Sequence, residues 1–336
     1  MIIKPFAPSP LTIGLQALVT RLQPTHPQYQ NLQQEQKIKE AGDFGEQYVM
    51  KELRQTALLN DCHIFHNVIL PSVLPMQIDI LIIVPNAIIL LEVKNIRGTV
   101  HLKNDPRQLI RTSESGEVHV FTHPEIQLEQ YIQGMKHFLD TQNISIPIFG
   151  AVVFPFNNVN IHREDSGLPI LMAKELPLFL HKHIEKSKET STMNEIKHII
   201  LSHLRDRTPF PLCQYYQIEG SALRRGVRCE NCGQFGMKKL RMNWYCQSCQ
   251  YQCKNAHVRA LLDYYMLVGD TISNRECREF LNIESQYVAK RLLQKLNLPS
   301  TGPDRIRKYD LSTLYWSAPQ TERVPPVKVK VAPQKK

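Results

Sequence analysis

Apolar and polar positions near the start of the chain follow first a helical and then a strand periodicity. Residues 36–53 place apolar side chains at near-helical spacing, interrupted by Gly42 and Gly45, and predict a helix. Two continuous apolar runs follow, residues 78–84 and 87–93, and the Pro-Asn pair between them suits a sharp reversal. These runs are apolar enough to predict central strands of a sheet.

Further helices and strands are predicted up to residue 204. Residues 124–139 predict a helix, residues 146–154 a strand, and residues 185–204 a helix that is polar along one side. Helices and strands that alternate in this way are typical of an α/β (α+β) domain. We therefore assign residues 36–204 to one domain and residues 1–35 to an N-terminal extension.

The pattern changes beyond this domain. Pro209 and Pro211 mark a linker, which we assign to residues 205–226. At the other end of the chain, residues 323–336 are rich in proline and lysine, a composition that predicts a disordered basic tail.

Helical periodicity returns in the last third of the chain, within a module at residues 255–322. Helices are predicted at residues 257–268, 273–281 and 285–296, and the last two begin at serines suited to capping a helix. The short connection between these two favours a helix-turn-helix.

The third of these helices predicts a DNA-recognition face. Val288, Leu292 and Leu296 form the expected inward stripe. The outward side chains are Tyr287, Lys290, Arg291, Gln294 and Lys295. A following basic hairpin, winged-helix-like, carries Arg305, Arg307 and Lys308. Small helical pairs also bind proteins, so a protein-interaction module is the alternative.

Charge strengthens the case for a polyanionic partner. The chain has 41 Lys+Arg and 31 Asp+Glu, of which residues 1–200 hold 18 and 20 and residues 201–336 hold 23 and 11. The C-terminal part therefore carries the whole positive excess, which favours nucleic acid or an anionic membrane surface. No apolar run reaches the length of a membrane span, and the stretch at residues 11–19 is a poor signal peptide, so a soluble, cytoplasmic protein is expected without a membrane partner.

Acidic and lysine side chains interrupt the two apolar runs. Asp79 lies in the first run, and Glu92 and Lys94, at the end of the second, project from one face of a strand. Two carboxylates among apolar strands cost solvation energy, which a divalent ion would offset. Asp79 and Glu92 are thus candidate ligands of Mg2+ or Mn2+, with the Val93 carbonyl as a further ligand and Lys94 orienting a water for phosphodiester hydrolysis. The alternative is a surface ion pair.

Four ordered segments resemble the motifs of the NERD (nuclease-related) domain: residues 42–46, 77–79, 92–95 and 123–127. This family is similar to the PD-(D/E)xK restriction-endonuclease-like superfamily, so the resemblance implies a mixed central sheet flanked by helices. It also implies that Glu46 faces the metal from a helix and that Gln127 supports the site. Ile78 stands where the superfamily has proline. His123 replaces a common asparagine and is either a substitute ligand or a helix start.

Cysteine spacing predicts a zinc ribbon at residues 227–254. Two Cys-x2-Cys pairs, separated by thirteen residues, let four thiolates converge on Zn2+; they are Cys229, Cys232, Cys246 and Cys249. A redox dithiol is the alternative. Cys253 is a competing ligand, whereas Cys62, Cys213 and Cys277 are expected to be small buried hydrophobes or free thiols. The ribbon also offers basic side chains to phosphates: Arg224, Arg225, Arg228, Lys238, Lys239 and Arg241.

Three functions fit these features. The first is a metal-dependent DNA nuclease whose basic C-terminal region holds the substrate. The second is a catalytically inactive nucleic-acid-binding or scaffold protein on the same fold, and the third is a protein-interaction module. The joint presence of Asp79, Glu92 and Lys94 favours the first, because a binding protein has no need of that cluster. The oligomeric state stays open.

Overall fold

A computed structural model describes residues 1–56, 62–71, 76–164, 167–184, 190–205 and 208–317. The chain divides into two compact units. Unit 1 comprises Met1–Ala7 and Glu40–Arg207, and unit 2 comprises Pro8–Lys39 and Thr208–Lys336. The predicted extension at residues 1–35 is therefore shared between the units. The predicted disordered tail lies outside the described residues.

Within its described residues, unit 1 is built on a six-stranded mixed sheet in the order β1-β2-β3-β4-β8-β10. The strands are β1 (Ile2–Lys4), β2 (His63–Leu70), β3 (Met76–Val84), β4 (Ala87–Val93), β8 (Ile148–Phe154) and β10 (Ile170–Met172). Strands β2, β3 and β4 pair antiparallel, whereas β4 pairs parallel with β8. The two apolar runs thus form the predicted adjacent central strands, joined by a two-residue turn.

A second sheet of unit 1 has the order β7-β6-β5-β9 among the described residues. Its strands are β5 (Gly98–Asn104), β6 (Arg107–Thr112), β7 (Val118–Thr122) and β9 (Val159–Arg163). The sequence did not predict this sheet because its strands are short and only partly apolar; β7 is exposed along its whole length.

Helices cover both faces of the central sheet. They are α2 (Tyr29–Arg54), α3 (Pro124–Asp140), α4 (Leu176–His183) and α5 (Thr190–His203). Leu81 and Leu90 pack with Leu128 and Phe138 of α3 on one face. Ile80 and Leu91 pack with Leu53 of α2 on the other. This alternation follows from the two-residue period of the strands and confirms the mixed α+β architecture.

Helix α2 continues through both glycines that were expected to interrupt it. A Cβ atom at Gly45 would lie only 2.7 Å from Asn95 Cβ, so a side chain there would collide with the residue that follows Lys94. Asn95 Nδ2 also donates to the Ala41 carbonyl at 2.7 Å. Gly45 therefore lets α2 approach the end of β4 closely.

Unit 2 contains α1 (Pro10–Arg21), α6 (Leu212–Tyr215), α7 (Ala256–Leu267), α8 (Asn274–Leu281), α9 (Gln286–Lys295) and α10 (Ser312–Ser317). Its short strands are β11 (Lys238–Lys239), β12 (Trp244–Tyr245), β13 (Gln252–Cys253), β14 (Thr271–Ser273), β15 (Ser300–Thr301) and β16 (Lys308–Asp310). They form two antiparallel sheets in the described residues, β11-β12-β13 and β14-β16-β15.

The N-terminal helix α1 belongs to the core of unit 2. Arg21 is fully buried at its end, where its Nε donates to Asp263 Oδ2 at 2.7 Å and its Nη1 donates to the carbonyls of Arg224 and Gly226. The predicted linker at residues 205–226 is also partly core, since Leu212 and Leu223 are buried there. The prolines in this segment indicate a break between helices and strands, but they do not indicate that the segment packs into a core.

Helices α8 and α9 start where the sequence places them. Ser273 caps α8 and exchanges hydrogen bonds with Glu276, and Ser285 caps α9. The inward stripe of α9 differs from the predicted one: Ala289, Leu292 and Leu293 are buried, whereas Val288 and Leu296 are only partly buried. The buried face of α9 is therefore shifted toward Ala289 and Leu293.

None of the helices in the described part of the chain combines the length and apolarity needed to cross a bilayer.

Candidate functional site

The register of β3 and β4 brings the predicted carboxylates together. Their ladder ends at the pair Ile80–Leu91, and one step further the same register places Asp79 opposite Glu92. Side chains directly opposite in antiparallel strands have Cβ atoms roughly 5 Å apart and share a face. Val93 N–H donates to Asp79 Oδ2 at 2.8 Å, so beyond the end of the ladder a side-chain carboxylate accepts this hydrogen bond in place of a backbone carbonyl.

Lys94 connects this pair to helix α3. Its Nζ donates to Glu92 Oε1 at 2.6 Å and to Gln127 Oε1 at 3.5 Å. Gln127 Nε2 in turn donates to the Tyr131 hydroxyl at 3.1 Å. Sequence reasoning missed Tyr131, although its position four residues after Gln127 puts both side chains on one face of a helix.

Burial and like charge act on the acidic groups. Burial, followed by the charges of Glu92 and Glu46, raises the pKa of Asp79 well above its usual value. Burial also raises the pKa of Glu92 despite its contact with Lys94. Burial lowers the pKa of Lys94, but the ion pair with Glu92 outweighs this and the net pKa is raised, so the amine is held as an ammonium.

The donor set fits a hard divalent cation. Glu92 is only 3% exposed, and its Oε2 is buried without a hydrogen-bond partner while Oε1 faces Lys94. An unpaired buried anionic oxygen is costly, and a cation beside Asp79 would compensate it. Two carboxylates with water completing the shell suit Mg2+, which keeps several of its waters.

Glu46, on α2, has a defined partner on strand β2. Its Oε2 lies 2.8 Å from His66 Nε2, and Ala7 N–H approaches His66 Nδ1 at 3.5 Å. Because Nδ1 accepts a hydrogen bond from Ala7 N–H, Nε2 carries the ring proton and donates to Glu46. Burial, together with the charge of Lys4, lowers the pKa of His66 to about 4, so the ring is neutral. The sequence had no signal for this histidine.

His123 takes the second of its two predicted roles. It caps the N-terminus of α3, where its Nδ1 accepts from Glu125 N–H at 3.3 Å. Burial lowers the pKa of His123. The adjacent Glu125 is buried and contacts Arg107 at 3.4 Å. These residues shape the helix end that positions Gln127.

The four predicted cysteines converge as a metal site in unit 2. All four Sγ atoms lie within 4.8 Å of one another, and among the described residues this is the only group of three or more His, Cys, Asp or Glu ligand atoms so close. The two Cys-x2-Cys pairs have the same turn geometry. Gly233 N–H donates to the Cys229 carbonyl, Gln250 N–H donates to the Cys246 carbonyl, and both Gly233 and Gln250 have positive φ. This arrangement confirms a zinc-ribbon-like segment.

The other cysteines stand apart from this cluster. Cys253 lies on β13 and packs against the core of unit 2 instead of joining the four thiols. Cys62, Cys213 and Cys277 are buried, as the sequence predicts.

Helix α9 presents the predicted basic side chains to solvent. Tyr287, Arg291, Gln294 and Lys295 are exposed. Burial, followed by the charges of Lys295 and Arg291 on α9, lowers the pKa of Lys239 in the ribbon. Lys290 and Arg307 are less available, because both pair with Asp304, at 3.5 and 2.7 Å. Arg305 and Lys308 are exposed.

Comparison with known families agrees with the arrangement of unit 1. Residues 41–155 match the family model of the nuclease-related domain, NERD. Searches of the curated proteins and of the solved structures found no match to this chain. The matched segment contains Glu46, Asp79, Glu92, Lys94 and Gln127.

Proposed function

We propose that this protein, whose residues 41–155 match the nuclease-related domain, hydrolyses phosphodiester bonds in DNA with Mg2+ or Mn2+ held by Asp79 and Glu92. The buried, unpaired Oε2 of Glu92 opposite Asp79 is the observation that carries the proposal. Neighbouring carboxylates whose burial lowers the stability of the fold are typical of catalytic sites.

Each residue has a role in this reaction. A bound cation would polarise the phosphoryl oxygens and lower the pKa of a water ligand. The Lys94 ammonium, anchored by Glu92 and Gln127, orients the attacking water and offsets negative charge that develops on the phosphate. Tyr131 fixes the Gln127 amide, and His66 holds the Glu46 carboxylate beside the acidic pair.

Unit 2 supplies the proposed substrate contacts. The order α7, β14, α8, α9, β15, β16, with β16 pairing both β14 and β15, suits a winged helix-turn-helix with α9 as its recognition helix. A closed four-thiolate zinc site has no free position for catalysis, so its role is structural. Four thiolates gathered for a metal suit a reducing compartment, and we propose a cytoplasmic location.

The test is cleavage of plasmid and single-stranded DNA with Mg2+ or Mn2+. We expect cleavage by the parent protein and loss of at least about a hundredfold in Asp79→Asn and in Lys94→Ala, since each removes a group that acts on the reacting phosphate. Asp140→Ala and Lys136→Ala, at exposed positions of α3, are matched controls that keep activity. Equal traces of cleavage in all variants, with DNA binding retained, would instead establish a non-catalytic binding protein.

A further inference from the structure

Three aromatic side chains pack together on unit 1, and we call them the aromatic cluster: Phe44 and Tyr48 on α2 and Phe156 just after β8. The Phe44 ring stacks on Phe156 with 5.6 Å between centroids and 23° between planes. Tyr48 packs against Phe156 at 4.5 Å. Phe44 remains 53% exposed, so the ring face that Phe156 does not cover is open to solvent.

The aromatic cluster lies on the part of α2 that packs against the residue following Lys94. Gly45, which follows Phe44, lies against Asn95, which follows Lys94, and a Cβ at Gly45 would be 2.7 Å from Asn95 Cβ. The same Cβ would be 3.1 Å from Pro155, the residue before Phe156. Helix α2 therefore approaches the ends of β4 and β8 closely at the residue that follows Phe44.

The cluster is also held in place. Tyr48 is partly buried against the core between α2 and the central sheet, and its ring supports Phe156. Phe44 itself contributes little to the core because half of its surface is in water. Exposed apolar patches are typical of ligand and partner contacts.

We propose that the open face of Phe44 stacks on an unpaired base of a strand whose phosphate lies at Asp79, Glu92 and Lys94. Bases inside a duplex are covered by their neighbours, so only an unpaired base has a free face for a protein ring. The substrate class is then single-stranded DNA or an unpaired segment of a duplex. This inference rests on the proposed function for the position of the phosphate.

The test uses the full-length protein and a single-stranded oligonucleotide that carries 2-aminopurine, whose fluorescence is quenched on stacking. Binding is measured with Ca2+ in place of Mg2+, beside an intact duplex of the same sequence. Phe44→Ala is expected to lose the quenching and to bind the single strand about fivefold or more weakly, with duplex binding unchanged. Phe44→Trp is expected to retain both.

Phe149→Ala is the matched control, because Phe149 is a 39% exposed phenylalanine near the opposite end of β8. Quenching and affinity in Phe44→Ala equal to those of the parent would overturn the proposal, as would an equal loss for single strand and duplex. Cleavage with Mg2+ is scored separately. If the parent protein quenches 2-aminopurine but does not cleave DNA, only the proposed function is contradicted. If the parent cleaves DNA but Phe44→Ala quenches and binds as the parent does, only the stacking is contradicted.

Discussion

His66 Nε2 donates to Glu46 Oε2 over 2.8 Å and joins the second strand of the central sheet to helix α2. The histidine is 2% exposed, and its ring packs against Phe6 at 4.8 Å between centroids. Nδ1 of this ring accepts from Ala7 N–H only while the imidazole is neutral, and the unfolded chain would protonate it at mildly acidic pH.

Because of this histidine, the unfolding free energy should decrease as the pH is lowered. Burial lowers the pKa of His66 from its usual 6.5 to about 4, so between these values the unfolded state binds a proton that the folded state excludes. The unfolding free energy should decrease by roughly 3 kcal/mol from this group as the pH falls from about 6.5 to 4. Denaturant titrations at several pH values measure this. His66→Asn should flatten that part of the profile relative to the parent, whereas exposed His101→Asn should not.

The neighbouring carboxylates of Asp79 and Glu92 should destabilise the fold when no metal is bound. Asp79→Asn removes a buried like charge and keeps an acceptor for Val93 N–H, so with a chelator present we expect a gain of about 1 kcal/mol in unfolding free energy. Saturating Mg2+ should raise the melting temperature of the parent, because a ligand of the folded state stabilises it. The variant should show no such rise. If differential scanning calorimetry gives the parent the same melting temperature with and without Mg2+ or Mn2+, the metal site is contradicted.

Two glycines of α2 should respond in opposite directions to alanine. Gly45→Ala forces a Cβ against Asn95 and should cost about 1–3 kcal/mol. Gly42→Ala meets no atom within 4 Å and should gain about 0.5–1 kcal/mol from the higher helix propensity of alanine. Thermal unfolding of the two variants compares the same substitution three residues apart. Equal effects would refute the close approach of α2 to β4.

The ribbon should hold one zinc ion through four thiolates. Elemental analysis is expected to find one zinc per chain in the parent and none in the double variant Cys246→Ser with Cys249→Ser. The double variant should also lose local structure in limited proteolysis, because zinc binding provides the folding free energy of such small units. Cys253→Ser is the control and should keep its zinc. Zinc that persists in the double variant would exclude this ligand set.

Helix α9 should contribute electrostatic affinity for DNA. Replacing Arg291 and Lys295 with alanine is expected to weaken binding and to reduce the slope of log K against log salt by about one for each lost phosphate contact. Fluorescence anisotropy over a range of salt concentrations measures the slope. Arg275→Ala on α8 is a matched control, because Arg275 is 81% exposed and already paired with Glu279. An unchanged slope in the double variant would place the DNA elsewhere.

Local patterns were sufficient for much of unit 1. Continuous apolar runs mark β3 and β4 because both faces of a central strand are buried, and the short turn between them makes the strands neighbours. Strand pairing then places Asp79 opposite Glu92, and side-chain alternation puts Lys94 on the same face. The two Cys-x2-Cys pairs likewise indicate their cluster, because four thiolates at this spacing have one common geometry.

Contacts between distant segments were decided only in the tertiary structure. His66 becomes a partner of Glu46, and Arg21 a partner of Asp263, through packing that joins residues far apart in the chain. Phe44 and Phe156 form one stack for the same reason. Sequence periodicity records which face of an element is buried, but it does not record what that face meets, because the partner is chosen by the shape and charge of the whole fold.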